Sequence, residues 1–338
     1  MISNRPTSLA FALAVALLFR FGSAFGATFP LPPAGTDIVG EVKVVRVKGS
    51  ETLLDIARRY GLGYGEIAAA NPGIDPWVPG DGTQVVLPTQ FILPSGPRRG
   101  IVLNLAQLRL FYFPTPARGK PAQVITQPVG IGTDYASTPL GETRIVRKAV
   151  SPVWRPSRDI REEHVADGHW LAAEVPPGPD NPLGKFALYL ALKGNYLIHG
   201  TNKPWGVGMR VSHGCIRLYP EGIESLYSQV PVGTAVRIVD ERLLLGTRDG
   251  KLYVQAYPSQ EKRSASNDDN LTPHVEAILR KVPRGQAVDW DKSMELLRSG
   301  RALPVPIAPG SPGIDEVIEE AVRASENTPD AATAIQGE

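Results

Sequence analysis

The apolar positions change period several times along the chain, and each change marks an element. V-K-V-V-R-V at 42–47 alternates as a strand does, with every second side chain on one face. In T-L-L-D-I-A-R-R-Y the spacing moves to that of a helix, with Leu53, Ile56, Ala57 and Tyr60 on one side and Gly61 placed to end it. G-E-I-A-A-A-N-P-G predicts a second short helix stopped by Asn71-Pro72-Gly73, and T-Q-V-V-L-P predicts a closing strand. Residues 42–90 therefore form a small βααβ unit.

Beyond a short S-G-P-R-R-G linker, I-V-L-N-L and L-R-L-F-Y-F alternate like a hairpin turned at Ala106-Gln107. F-A-L-Y-L-A-L and Y-L-I predict another, whose second strand runs into His199. Residues 151–183 between them are long, irregular and rich in Trp, Pro, Arg and Asp; connections of that length tend to be functional covers. Ile223, Leu226, Tyr227 and Val230 give one short helix, and T-A-V-R-I-V a closing strand. Residues 99–240 are thus a mainly β domain of mixed strands with a short helix. From 241 to 338 the stripes Val275, Ile278, Leu279, Val282 and Ile314, Val317, Ile318, Ala321, Val322 predict a helical C-terminal appendage packed on that domain, ending in a polar tail.

The start of the chain changes the compartment. Arg5 precedes an uncharged apolar run, Leu9 to Phe19, and then the small residues of G-S-A-F-G-A. That order predicts a cleavable signal peptide over 1–26, because the run is well short of the ~20 residues of a membrane-spanning helix. Without a cysteine near the cut, a lipid anchor is not expected. A proline-rich lead-in, 27–41, is expected not to pack. Composition adds exclusions: 42% hydrophobic and 21% charged residues suit a folded globular protein, and a net charge of +2 is too small to point to nucleic acid.

Export makes the single cysteine informative. Cys215 lies in V-S-H-G-C-I-R-L and has no intrachain partner for a disulfide. The residue types leave four readings open: buried apolar filler, half of an intermolecular disulfide, metal ligand, or nucleophile. A thiol of pKa ~8.5 needs a neighbouring base or positive charge to act as a nucleophile, and His199 and His213 both lie within reach of the motif. Gly214 suits a tight turn whose amides converge where an oxyanion would form. Zinc is disfavoured because no fourth ligand stands out and His213 and Cys215 are close together for such a site.

Resemblance to known families carries the reading further. E-T-L-L-D-I-A-R-R-Y-G, A-A-N-P-G-I-D and V-P-G-D-G-T-Q-V-V-L-P resemble a LysM module, which implies a unit that binds peptidoglycan glycan on its own; the Gly49-Ser50-Glu51-Thr52 turn is one residue longer than usual. H-G-T-N-K-P-W-G-V-G-M-R-V-S-H-G-C-I-R-L resembles the signature of the L,D-transpeptidase (YkuD-type) catalytic domain, with thirteen residues between His199 and His213. P-V-G-I-G, T-P-L-G-E-T and G-P-D-N-P-L-G-K-F-A-L-Y-L extend the match over 99–240, and the whole arrangement resembles the periplasmic ErfK/YbiS group.

The resemblance implies a YkuD-type mixed β sandwich in which Cys215 is the nucleophile and His199 the general base, oriented by the carbonyl of Gly200. It implies an oxyanion hole lined by the amides of His213, Gly214 and Cys215, with Ser212 and the His213 ring bracing the motif. Arg217 sits where many relatives have asparagine. It is expected either to hold a substrate carboxylate through two parallel hydrogen bonds or to make a structural salt bridge. The implied reaction takes a peptidoglycan tetrapeptide stem, expels D-alanine and passes the acyl group to an amine, with no metal or organic cofactor. The expected acceptor is the C-terminal lysine of an outer-membrane lipoprotein. Diaminopimelate-to-diaminopimelate cross-linking and L,D-carboxypeptidase activity are the alternatives, and a non-catalytic peptidoglycan-binding protein is the alternative of another class.

Overall fold

The structure, a computed structural model, describes residues 26–258 and 272–327. The predicted signal peptide, apart from Gly26, and the polar tail beyond Asn327 lie outside the described residues. Among the described residues no helix is long and apolar enough to cross a membrane.

The chain opens with β1 (Ala27–Pro30), β2 (Ile38–Gly40), β3 (Lys43–Arg46), α1 (Leu53–Arg59), α2 (Tyr64–Ala70), β4 (Gln84–Leu87) and β5 (Gln90–Ile92). The strand–helix–helix–strand order expected over 42–90 is present, with β3 antiparallel to β4. Local chemistry sets its ends. Thr52 and Asp55 cap each other's backbone at the start of α1, at 3.1 and 2.9 Å. Asn71 bonds the Ile67 carbonyl and both backbone groups of Val86, so the residue that stops α2 also fastens it to β4. The lead-in, expected not to pack, instead forms β1 against the strand Gln123–Pro128, and half-buried Phe29 sits edge-on to Phe91. Extended proline-flanked backbone suits an edge strand, where one side needs no partner.

The middle of the chain holds β6 (Gly100–Asn104), β7 (Arg109–Phe113), β8 (Gln123–Pro128), β9 (Ile131–Gly132), β10 (Gly141–Val150), α3 (Arg158–Ala166), β11 (Phe186–Leu190), β12 (Leu197–His199), a 3-10 turn (Pro204–Gly206), β13 (Arg210–Ser212), β14 (Ile216–Arg217), α4 (Pro220–Gln229) and β15 (Ala235–Val239). Both predicted hairpins are present, as β6–β7 and β11–β12. The expected sandwich is one nine-stranded sheet curled on itself, in the order β1-β8-β7-β6-β15-β10-β11-β12-β14. The long β10 turns the corner: its first half pairs with β15 and its second with β11, with a register shift between Ile145 and Arg147. The curl wraps a core in which Leu103 and Leu110 meet Leu188, Ile198, Ile223 and Leu226.

The outer face of this sheet is also covered. Leu53, Ile56, Leu62 and Ile67 share one apolar cluster with Val102, Phe111 and Val124, so the N-terminal unit is built onto the nine-stranded sheet rather than strung beside it. This explains why β7 is buried along its whole length although its sequence alternates. It also places Arg109, fully buried, against Glu66 at 2.5 and 2.7 Å.

The C-terminal part departs most from expectation. L-L-L-G-T-R and K-L-Y-V-Q-A form β16 (Leu243–Arg248) and β17 (Lys251–Ala256), joined at Asp249-Gly250, both at positive φ. Asp-Gly between alternating runs is a strong hairpin signal, and the helical reading passed over it. Then follow α5 (Thr272–Lys281), α6 (Trp290–Ser299), β18 (Val305–Pro306) and α7 (Ile314–Glu326). This mixed unit packs chiefly on the N-terminal unit, where Val44, Ala70 and Val86 join Val254, Ile278, Leu296 and Val305. Its link to the catalytic part is a polar one, through Tyr257 and Gln107 at 3.1 Å.

Candidate active site

Sheet register brings the two sequence motifs together. β12 and β14 are parallel neighbours with Ile198 opposite Ile216 and His199 opposite Arg217, and the Leu218 amide donates to the His199 carbonyl at 2.8 Å. Residues two apart on a strand share a face. Arg217 accordingly lies within electrostatic reach of both His199 and Cys215.

His199 is buried, and its Nδ1 lies 2.6 Å from the Gly200 carbonyl. A carbonyl oxygen only accepts, so Nδ1 carries the hydrogen and the neutral ring keeps its lone pair on Nε2. Burial first, and the Arg217 charge second, push the imidazolium down to about 3, against opposing contributions from the Gly200 and Leu183 carbonyls. The Cys215 thiol is pushed up from its ordinary value by burial, against the Leu197 amide and Arg217. Both shifts favour the neutral forms, thiol and imidazole, at neutral pH. Cys215 is half-buried and in no disulfide; its Sγ receives a backbone hydrogen bond from the Leu197 amide and makes a long contact, 4.0 Å, with the Asn195 carbonyl.

The turn before Cys215 has a fixed shape. Gly214 has φ of +94°, and a Cβ there would stand 2.7 Å from the Tyr196 ring, so glycine is required twice over. Ser212 Oγ donates to the Cys215 carbonyl at 2.6 Å, and Thr138 Oγ1 donates to the Gly214 carbonyl at 2.9 Å. Among the described residues, the backbone N–H groups of His213, Gly214 and Cys215 have no protein acceptor. Three unclaimed donors on one tight turn can receive a developing oxyanion.

The remaining sequence candidates fall nearby. The His213 ring is half-exposed and meets Glu163 of α3 at 2.5 Å, so the helix inside the 151–183 segment reaches the turn before Cys215. Arg217 is partly buried, its Nε has no hydrogen-bond partner, and no carboxylate pairs with it among the described residues. The salt-bridge reading of Arg217 therefore has no partner here. No group of His, Cys, Asp and Glu among the described residues could hold a metal ion.

Three positioning residues were not singled out from the sequence. Thr138 lies in T-P-L-G-E-T. Asn181 lies in G-P-D-N-P-L-G; it is fully buried, donates to the Pro152, Val175 and Pro176 carbonyls, and accepts from the Leu183 amide at 2.9 Å. It thus closes the base of the 151–183 segment beside His199. Glu163 had no local signal at all.

Comparison with known proteins gives a consistent picture. A family profile described as the L,D-transpeptidase catalytic domain, YkuD, matches residues 98–238. The chain is 38% identical over 310 residues to the probable L,D-transpeptidase ErfK/SrfK of Salmonella typhimurium, spanning 90% of this chain and 98% of that one. It is 42% identical over 273 residues to the probable L,D-transpeptidase YcfS of Escherichia coli, spanning 79% and 82%. With the probable L,D-transpeptidase YbiS of Escherichia coli the identity is 40% over 258 residues, spanning 75% and 82%.

Proposed function

The chain belongs to the L,D-transpeptidase family with a YkuD-type catalytic domain, and from that membership we propose a periplasmic enzyme that transfers acyl groups of peptidoglycan stems through Cys215. The observation that carries this reading is the β12–β14 pairing, which sets His199 opposite Arg217, two residues after Cys215 and the turn with three unclaimed amides.

Sγ of Cys215 attacks the carbonyl carbon of the third stem residue while Nε2 of His199 takes the thiol proton. The amides of His213, Gly214 and Cys215 receive the oxyanion. The bond to terminal D-alanine breaks, His199 returns the proton to the leaving amine, and a thioester remains. An acceptor amine then attacks, His199 takes its proton, the C–S bond breaks, and the proton returns to sulfur. Arg217, a desolvated cation with an unused donor, suits a stem carboxylate. Ser212 and His213 hold the turn in shape.

The proposed acceptor is the C-terminal lysine of an outer-membrane lipoprotein, with the βααβ unit acting as a LysM module that keeps the enzyme on the polymer. The test mixes the mature full chain with a soluble tetrapeptide stem and either a lysine-ended peptide or a second stem. Amide formation with the lysine peptide and release of D-alanine are expected. Products formed only with the second stem would reassign the enzyme to stem cross-linking, and hydrolysis alone to carboxypeptidase activity.

A further inference from the structure

The segment joining His199 to Cys215 does not hang free; the N-terminal unit grips it. Tyr64 and Gly65, at the start of α2, donate backbone hydrogen bonds to the carbonyls of Val207 and Gly208 at 3.2 and 3.0 Å. The approach is close enough to require glycine on both sides: a Cβ on Gly63 would stand 2.7 Å from Gly208 Cα, and Gly208, at φ of +86°, has no room for one against Tyr64 N. On the far side, Gly208 N donates to the Val129 carbonyl at 3.2 Å and Ile131 N to the Met209 carbonyl at 3.0 Å. The same short segment pairs Gly130 with Arg217, two residues after Cys215, at 2.8 Å in both directions. A continuous backbone path therefore runs from the α1–α2 turn through 207–209 and 129–131 to β14, the strand that directly follows the cysteine.

The turn itself is anchored deeply. Glu66 accepts from Gly63 N at 2.8 Å and pairs with buried Arg109, which also donates to the Gly61 carbonyl at 2.9 Å. Arg58 holds Glu221 of α4 at 2.8 and 2.9 Å, and Tyr219 donates to the Leu62 carbonyl at 3.1 Å. A tether for holding polymer needs none of these bonds to the catalytic part.

We propose that the α1–α2 turn is a positioning element of the catalytic site: Gly63 and Gly65 fix the 207–209 segment, and through it the placement of Cys215 relative to His199. This rests on the acyl-transfer reading above and adds a second role for the N-terminal unit, independent of glycan.

The test uses the mature full chain and a soluble tetrapeptide without glycan, so that tethering cannot contribute. Gly63→Ala pushes directly on Gly208. Gly65→Ala meets the Gly208 carbonyl at 3.0 Å and lies in α2, where alanine favours the helix, so its stability is not expected to fall. Ala68→Gly, in the same helix, weakens α2 without adding atoms near 207–209 and serves as the stability control. Expected are a fall in kcat for D-alanine release of roughly tenfold for Gly63→Ala, on the scale that small misplacements cost, a smaller fall for Gly65→Ala, and KM and the control unchanged. Iodoacetamide alkylation of Cys215 is a second readout that needs no stem peptide. Its pH midpoint should drop in both glycine variants, as a loosened site lets water reach the thiol. Folded Gly63→Ala and Gly65→Ala proteins with wild-type alkylation profiles would overturn the proposal. A wild type that releases no D-alanine, yet shows the shifted profile in the variants, would count against acyl transfer alone.

Discussion

At the scale of residues, the proposed chemistry starts from two groups whose surroundings favour their neutral forms. Burial first, then the Arg217 charge, push the His199 imidazolium down to about 3, and burial holds the Cys215 thiol above its ordinary range. The rate of Cys215 alkylation is therefore expected to stay low through pH 4–7, without a histidine inflection, and to rise only at alkaline pH. An inflection near pH 6 would instead indicate a pre-formed thiolate–imidazolium pair. The same depressed value links to stability. The unfolded ring binds a proton below about 6.5 and the folded ring does not until about 3, so this contribution is full above pH 6.5 and is lost as pH falls through that window. His199→Ala is expected to slow acylation by roughly 10²-fold, the scale of a positioned base, while His169→Ala, outside the motifs, changes little; D-alanine release by each variant decides it. Cys215, His199 and the glycine turn are legible in the sequence because they share compact motifs. Thr138, Tyr196 and Glu163 are not, because each gains its role only when the fold brings in a distant partner.

At the scale of elements, α3 is the exception in a well-buried molecule. Ser157 caps it, but none of its side chains is buried, and its Glu163–His213 bond reaches the turn that precedes Cys215. Few apolar contacts mean low local stability. The amides of α3 are expected to exchange with deuterium far faster than those of α4, which buries Ile223 and Leu226, and Glu163→Gln is expected to widen the gap. Protection of α3 equal to that of α4 would mean the segment is held by more than this bond. The sequence indicated a long irregular cover over 151–183 but not a helix within it, since Arg158–Ala166 has no apolar stripe. β1 was missed for a related reason: its stability comes from pairing with β8 rather than from any local pattern.

At the scale of the whole molecule, three lengths of chain that the sequence presents as separate units share cores. The N-terminal unit gives one face to the catalytic sheet and another to the C-terminal part. Cut out alone, residues 42–88 would expose Val44 and Val86 and leave Glu66 without Arg109; losing one partner of a buried pair costs ~3–5 kcal/mol. The isolated fragment is therefore expected to be unfolded by circular dichroism, contrary to an autonomous module, while the full chain sediments with peptidoglycan sacculi. Patterning predicted the βααβ unit and the β6–β7 and β11–β12 hairpins but not β16, β17 or α6, and it carries no information about which faces of different units meet. The central claim, that Cys215 is the acylated residue and His199 its base, is tested most directly by intact-protein mass spectrometry after mixing the mature chain with a soluble tetrapeptide stem. A mass gain equal to the stem less D-alanine, mapped to Cys215, lost in Cys215→Ser and slow to appear in His199→Ala, is the predicted result. Release of D-alanine by Cys215→Ser, or an adduct mapped to another residue, would contradict it.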